Sequence, residues 1–92
     1  MRHKLRAEAA ERECQIWLGG CQTYPAVLCH FRLQGISGMG IKPPDLLGAW
    51  GCASCHTIVD TDKSPEVQLQ FAKGVFRTQM QLLREGKITD GD

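Results

Sequence analysis

The sequence lacks any apolar run long enough to cross a membrane, a task that takes about 20 consecutive apolar residues in a helix. Its opening stretch, MRHKLRAEAAERE, carries positive charge but no apolar segment behind it. The pattern of a secretory signal peptide is therefore missing. These two absences predict a cytoplasmic protein whose thiols stay reduced. A large excess of charge is also missing: 11 Lys and Arg stand against 10 Asp and Glu, a formal net charge of +1. No diffuse field for nucleic acid is expected, so an anion-facing site must be local. One stretch lacks acid altogether. From His30 to Lys42 the cationic residues are Arg32 and Lys42, with no carboxylate between them. Internal repeats and low-complexity tracts are absent too. The 92 residues predict one domain, 1–92, with a thin core. So short a chain is commonly stapled by disulfides, a metal or a partner.

What is present begins with local helix and turn signals. Residues 3–13 are rich in Ala, Glu, Leu and Arg, with Lys4/Glu8 and Glu8/Arg12 at i,i+4 spacing, which predicts a short solvated helix. CQIWLGGC, residues 14–21, reads as a tight loop turned by Gly19-Gly20. AVLCHF (26–31) and LLGAWGC (46–52) read as the strands of a hairpin with a long glycine- and proline-rich connection. Residues 53–60 suit a short helix. Ser64-Pro65-Glu66 then starts a long helix: a capping hydroxyl, proline at the first position and an acid in the first turn. Val67, Leu69, Ala72, Val75, Phe76, Met80 and Leu83 follow a helical period, and Gly86 ends the helix. The fold class expected is a small α+β finger with flanking N- and C-terminal helices. Its core spans 14–60, and a helix over about 64–86 packs its apolar stripe on that finger.

Five cysteines are present. Cys14, Cys21, Cys52 and Cys55 can form a tetrahedral four-thiolate zinc site. A loop pair, a hairpin and a pair at a helix start is the order of a treble-clef zinc finger. Thiolates at a helix start meet free backbone N–H groups and the positive end of the dipole. The alternative for these residues is two disulfides or buried free thiols, which the expected compartment disfavours. Zinc on four thiolates supplies on the order of 10 kcal/mol toward folding. Cys29 is left over, as a small core residue of the first strand.

His56 follows Cys55 directly. Consecutive helical residues point about 100° apart, so His56 faces away from the zinc side. Asp60 lies four residues on, over the same helix face. An imidazole and a carboxylate in that relation can share one divalent cation with open positions for water and phosphate. Taken alone, the pair reads first as a His56 that packs or caps and an Asp60 that is a solvated helix end. His30, at the end of the first strand, can face His56 across a hairpin–helix cleft, which makes it a candidate general base.

Together these residues resemble an HNH (His-Me finger, ββα-metal) endonuclease. The usual pattern is a Cys pair, a strand ending in Asp-His, a loop, Asn-Leu, and C-x-x-C-H. Here it reads Cys14/Cys21, Cys29-His30, the glycine-rich loop, Asp45-Leu46 and Cys52-x-x-Cys55-His56. More closely, REC, HFRLQGISGMGIKPPDL and CASCHTIVD resemble the small phage and prophage nucleases of the YbcO type. The finger is also similar to the HNH part of the phage nuclease Ref. The resemblance covers 12–60 well and the flanking helices more loosely.

The resemblance implies an endonuclease that hydrolyses phosphodiester bonds in DNA. It implies His30 as the general base and Asp45 in the place of the middle Asn that orients it. His56 and Asp60 would be ligands of a catalytic Mg²⁺ or Mn²⁺, beside a structural Zn²⁺. The expected partners are DNA and a recruiting recombination or phage replication protein. There are two departures from the pattern. Cys29 stands where an acid often precedes the base, and Asp45 keeps an acceptor but loses the donor of Asn.

GISGMG has neither the spacing nor the following helix of a phosphate-binding loop and reads as a connector. Arg32 and Lys42 at its ends are solvated charges or contacts to a phosphate backbone. The rival class is a non-catalytic treble-clef module that binds nucleic acid or a protein, with His30 and His56 serving only to pack.

Overall fold

The structure, a computed structural model, describes residues 5–32 and 44–89. Helix α1 spans Leu5–Glu8, strand β1 Ala26–His30, strand β2 Gly48–Cys52, helix α2 Ala53–Thr61 and helix α3 Pro65–Arg84. A single 3₁₀ turn, Asp45–Leu47, leads into β2. The result is a small α+β unit. Its two strands pair antiparallel, from Ala26 opposite Cys52 to His30 opposite Gly48.

The expected N-terminal helix ends at Glu8 rather than near residue 13, and long-range bonds explain why. Glu11 sits at φ 61°, in the left-handed region that ends a helix. Beyond it the backbone pairs elsewhere: Ala26 N donates to Arg12 O at 3.0 Å, and Cys14 N to Thr23 O at 2.5 Å. The Arg12 guanidinium donates to Glu85 at 2.5 and 2.6 Å and lies over the Trp50 ring, 4.7 Å from its centroid. Arg12, helped by Gln81, holds the Glu85 carboxyl down to about 2, against an ordinary 4.5. The stability this clamp contributes is present above pH 4.5 and is lost as the pH falls toward 2.

The main core joins Ile16, Cys29, Ala49 and Val59 to Phe71 and Val75 of α3. Phe31 leans on Phe71, with ring centroids 4.9 Å apart. A second cluster gathers Ala9, Ala26, Trp50 and Leu82. α3 starts as its sequence demands: Ser64 Oγ accepts from Val67 N at 3.4 Å, with Pro65 in the first turn.

The buried line of α3 differs from the expected stripe. It runs through Phe71, Gly74, Val75, Thr78 and Leu82, with Val67 packed at its start. Leu69, Phe76 and Met80 stay 58%, 67% and 47% exposed. Two polar or small residues decide this rotation. A Cβ on Gly74 would meet Gln15 O at 3.0 Å, so glycine lets the helix close on the cysteine loop. Thr78 Oγ1 accepts from Trp50 N at 3.0 Å. Among the described residues, no helix is long and apolar enough to cross a membrane.

Candidate active site and metal centre

Four cysteines converge from three places. Cys14 and Cys21 come from the N-terminal loop, Cys52 ends β2, and Cys55 lies in the first turn of α2. Their sulfurs all lie within 4.8 Å of one another, and all five cysteines of the chain are free thiols. Cys21 and Cys52 Sγ are 3.9 Å apart. Sulfurs around a tetrahedral zinc, at about 2.3 Å each, stand roughly 3.8 Å from one another.

Backbone N–H groups point at three of these sulfurs. Ile16 N donates to Cys14 Sγ at 3.4 Å, Thr23 N to Cys21 Sγ at 3.3 Å, and Gln22 N and Cys55 N to Cys52 Sγ at 3.3 and 3.4 Å. Such donors favour thiolates. Burial acts to raise Cys52, but the N–H groups of Cys55 and Gln22 bring it down to about 6. Burial pushes Cys55 up, and the neighbouring sulfurs of Cys14 and Cys52 push the same way. Four thiolates this close repel unless a cation sits among them. The donor set fits a metal ion that accepts sulfur ligands.

Cys29 is not part of this group. It is buried in the main core, and burial pushes its thiol up to about 12. Side chains alternate along a strand, so His30, the next residue, emerges on the opposite face. There His30 Nε2 meets Asp45 Oδ1 at 2.7 Å. The 3₁₀ turn before β2 carries Asp45 to the end of β1.

His56 and Asp60 lie one turn apart on α2, with Nε2 and Oδ2 separated by 3.4 Å. Both are substantially exposed, while Cys55 is buried beneath them. A cleft of 370 Å³ joins the pieces, lined by Arg6, Leu28, His30, Arg32, His56 and Asp60. It gathers two imidazoles, one lining carboxylate and two guanidiniums. Among the described residues, no third histidine, cysteine or acid joins His56 and Asp60 in a metal-sized group. That leaves two protein donors for a divalent ion, with water or phosphate oxygens to fill the rest of its shell.

Arg32, from the acid-free stretch, lines the cleft. Lys42 and the glycine loop lie outside the described residues. Arg6 is a cleft residue that sequence reasoning missed. Its segment reads as a solvated helix, and only the positive charge of the N-terminal stretch hinted at it.

Residues 3–87 match the family described as "Putative nuclease YbcO". Two curated relatives carry that same name, from Escherichia coli K12 and from Enterobacteria phage 82. Each is 41% identical, over 91% of this chain and 95% of the relative. A solved structure of a "putative bacteriophage protein" from Escherichia coli K-12 superposes with a TM-score of 0.72 at 33% identity. It covers 90% of this chain and all of the solved one. The chain belongs to the "Putative nuclease YbcO" family.

Proposed function

We propose that this chain is a metal-dependent endonuclease of the HNH type, hydrolysing phosphodiester bonds in DNA on a treble-clef finger stapled by zinc. The observation that carries the reading is the shared cleft. His30, oriented by Asp45, and the His56–Asp60 pair open onto one 370 Å³ space with Arg6 and Arg32 at its edge. A purely structural role for the two histidines needs no such meeting. The relatives' name as nucleases supports the same reading.

The Asp45 carboxylate can only accept, so His30 Nε2 carries the proton of their hydrogen bond. The lone pair then rests on Nδ1. There His30 takes a proton from the water that attacks phosphorus. Asp45 fixes the ring and stabilises the imidazolium that forms. His56 Nε2 and Asp60 would hold one Mg²⁺ or Mn²⁺, which supplies positive charge for the phosphate and the departing oxygen when bound. Arg6 and Arg32 place guanidiniums where flanking phosphates would run. Zinc on Cys14, Cys21, Cys52 and Cys55 would tie the N-terminal loop to the start of α2, which in turn carries His56.

A plasmid-nicking assay tests the reading. Protein stripped of loosely bound ions but still holding its zinc should be inactive, and Mg²⁺ or Mn²⁺ should restore nicking. Full activity in the presence of EDTA, with zinc retained, would contradict it.

A further inference from the structure

α3 carries two apolar lines, and the fold buries one of them. The line through Phe71, Val75 and Leu82 packs on the finger. At 100° per residue, the second line lies about 120° around the helix. It passes through Leu69, Ala72, Phe76, Met80 and Leu83. Phe76 is 67% exposed, the highest among the large exposed apolar side chains of the described residues. Apolar ground continues on both sides of this ridge. One flank holds a 230 Å³ groove lined only by apolar side chains, Phe31, Leu47, Ala72, Val75 and Phe76. On the other flank, exposed Trp17 lies under the Arg77 guanidinium, 3.7 Å from the ring centroid. A contiguous apolar surface of this kind marks an interaction site. No residue of the ridge lines the catalytic cleft.

We propose that the ridge pairs two copies of this chain through antiparallel α3 helices, with a two-fold axis passing at Phe76. The ridge is complementary to itself in that orientation. Counting outward from Phe76, Leu69 meets Leu83 of the partner subunit, and small Ala72 meets the larger Met80 of the partner subunit. Charge agrees at the ends: Glu66 falls within about 3 Å of axial offset from Arg84 of the partner subunit, at 1.5 Å rise per residue. A self-complementary patch is what a closed two-fold dimer requires. A pair of 20-residue helices with one ridge and its flanks lies at or below the roughly 800 Å² per partner of a standard interface. Pairing is therefore reversible and concentration-dependent. Each copy keeps its cleft open, so the dimer would present two cleavage centres.

Sedimentation equilibrium of the full zinc-loaded chain, from low to high micromolar concentration, tests this. The wild type should follow a reversible monomer–dimer equilibrium. Phe76→Glu puts two charges on the axis and should weaken it by roughly 10²-fold, with the circular dichroism spectrum unchanged. Leu69→Lys, at the end of the ridge, is a second variant with the same expectation. Glu66→Arg alone should loosen the dimer, and adding Arg84→Glu should restore it. A wild type that stays monomeric throughout, or a dimer indifferent to both ridge variants, would overturn the proposal. Failure of the charge swap to recover pairing would overturn the antiparallel arrangement.

Discussion

His30 Nε2 stands 2.7 Å from Asp45 Oδ1, and this contact ties the end of β1 to a residue fifteen positions later, at the entrance to β2. It sets both the orientation of the imidazole and which nitrogen is free. Asp45→Ala should keep zinc and fold while nicking falls by roughly 10²-fold, the scale of a misplaced catalytic group. Asp45→Asn should fall less, because its amide oxygen still accepts from Nε2–H. Single-turnover nicking checks both, and equal loss in the two variants would argue that the negative charge, not orientation, is what matters.

One zinc per chain is expected on Cys14, Cys21, Cys52 and Cys55, whose sulfurs already crowd within 4.8 Å. Native mass spectrometry should find it. Stripping the metal at neutral pH should unfold the finger, because binding by four thiolates is worth on the order of 10 kcal/mol. Two disulfides and no zinc in the purified protein would refute this.

Asp60 is 64% exposed at its side chain, so Asp60→Ala should change stability by no more than about 0.5 kcal/mol. The Mg²⁺ or Mn²⁺ concentration for half-maximal nicking should rise by roughly 10-fold or more, the scale of losing one ligand or its support. An unchanged metal titration would make Asp60 a plain helix-end residue.

Cys29 occupies the place of an acid in the HNH pattern, yet it points into the core at 1% exposure. Cys29→Asp should therefore add no metal affinity. It should instead cost roughly 3 kcal/mol or more, the penalty of an unpaired charge in the interior, read from urea unfolding. A folded variant of wild-type stability that bound Mn²⁺ more tightly would contradict the placement of this side chain.

Much of the scaffold was legible because its signals are local. Ser64-Pro65 caps its own helix, and Cys-x-x-Cys at a strand–helix junction announces itself by spacing. The i,i+4 relation of His56 and Asp60 needs nothing beyond helix geometry. What the sequence hid depends on distant partners. Two apolar lines share α3, and periodicity alone cannot say which one is buried. The choice falls to Gly74 against Gln15 O and Thr78 against Trp50 N. The N-terminal helix stops early because Arg12 bonds Glu85, 73 residues away. Arg6 reaches the cleft only because that shortened segment lies beside β1, as the shared lining of Arg6, Ala26 and Leu28 shows. Lys42 lies outside the described residues.

The enzyme reading turns on His30, and nicking by His30→Ala tests it most directly. His30 touches none of the four sulfurs, so the variant should keep its zinc, its fold and its binding to DNA. Its nicking rate should drop by roughly 10²–10⁴, the usual worth of general base catalysis. Nicking at the wild-type rate, or loss of zinc and fold together, would contradict the assignment of His30 as the base.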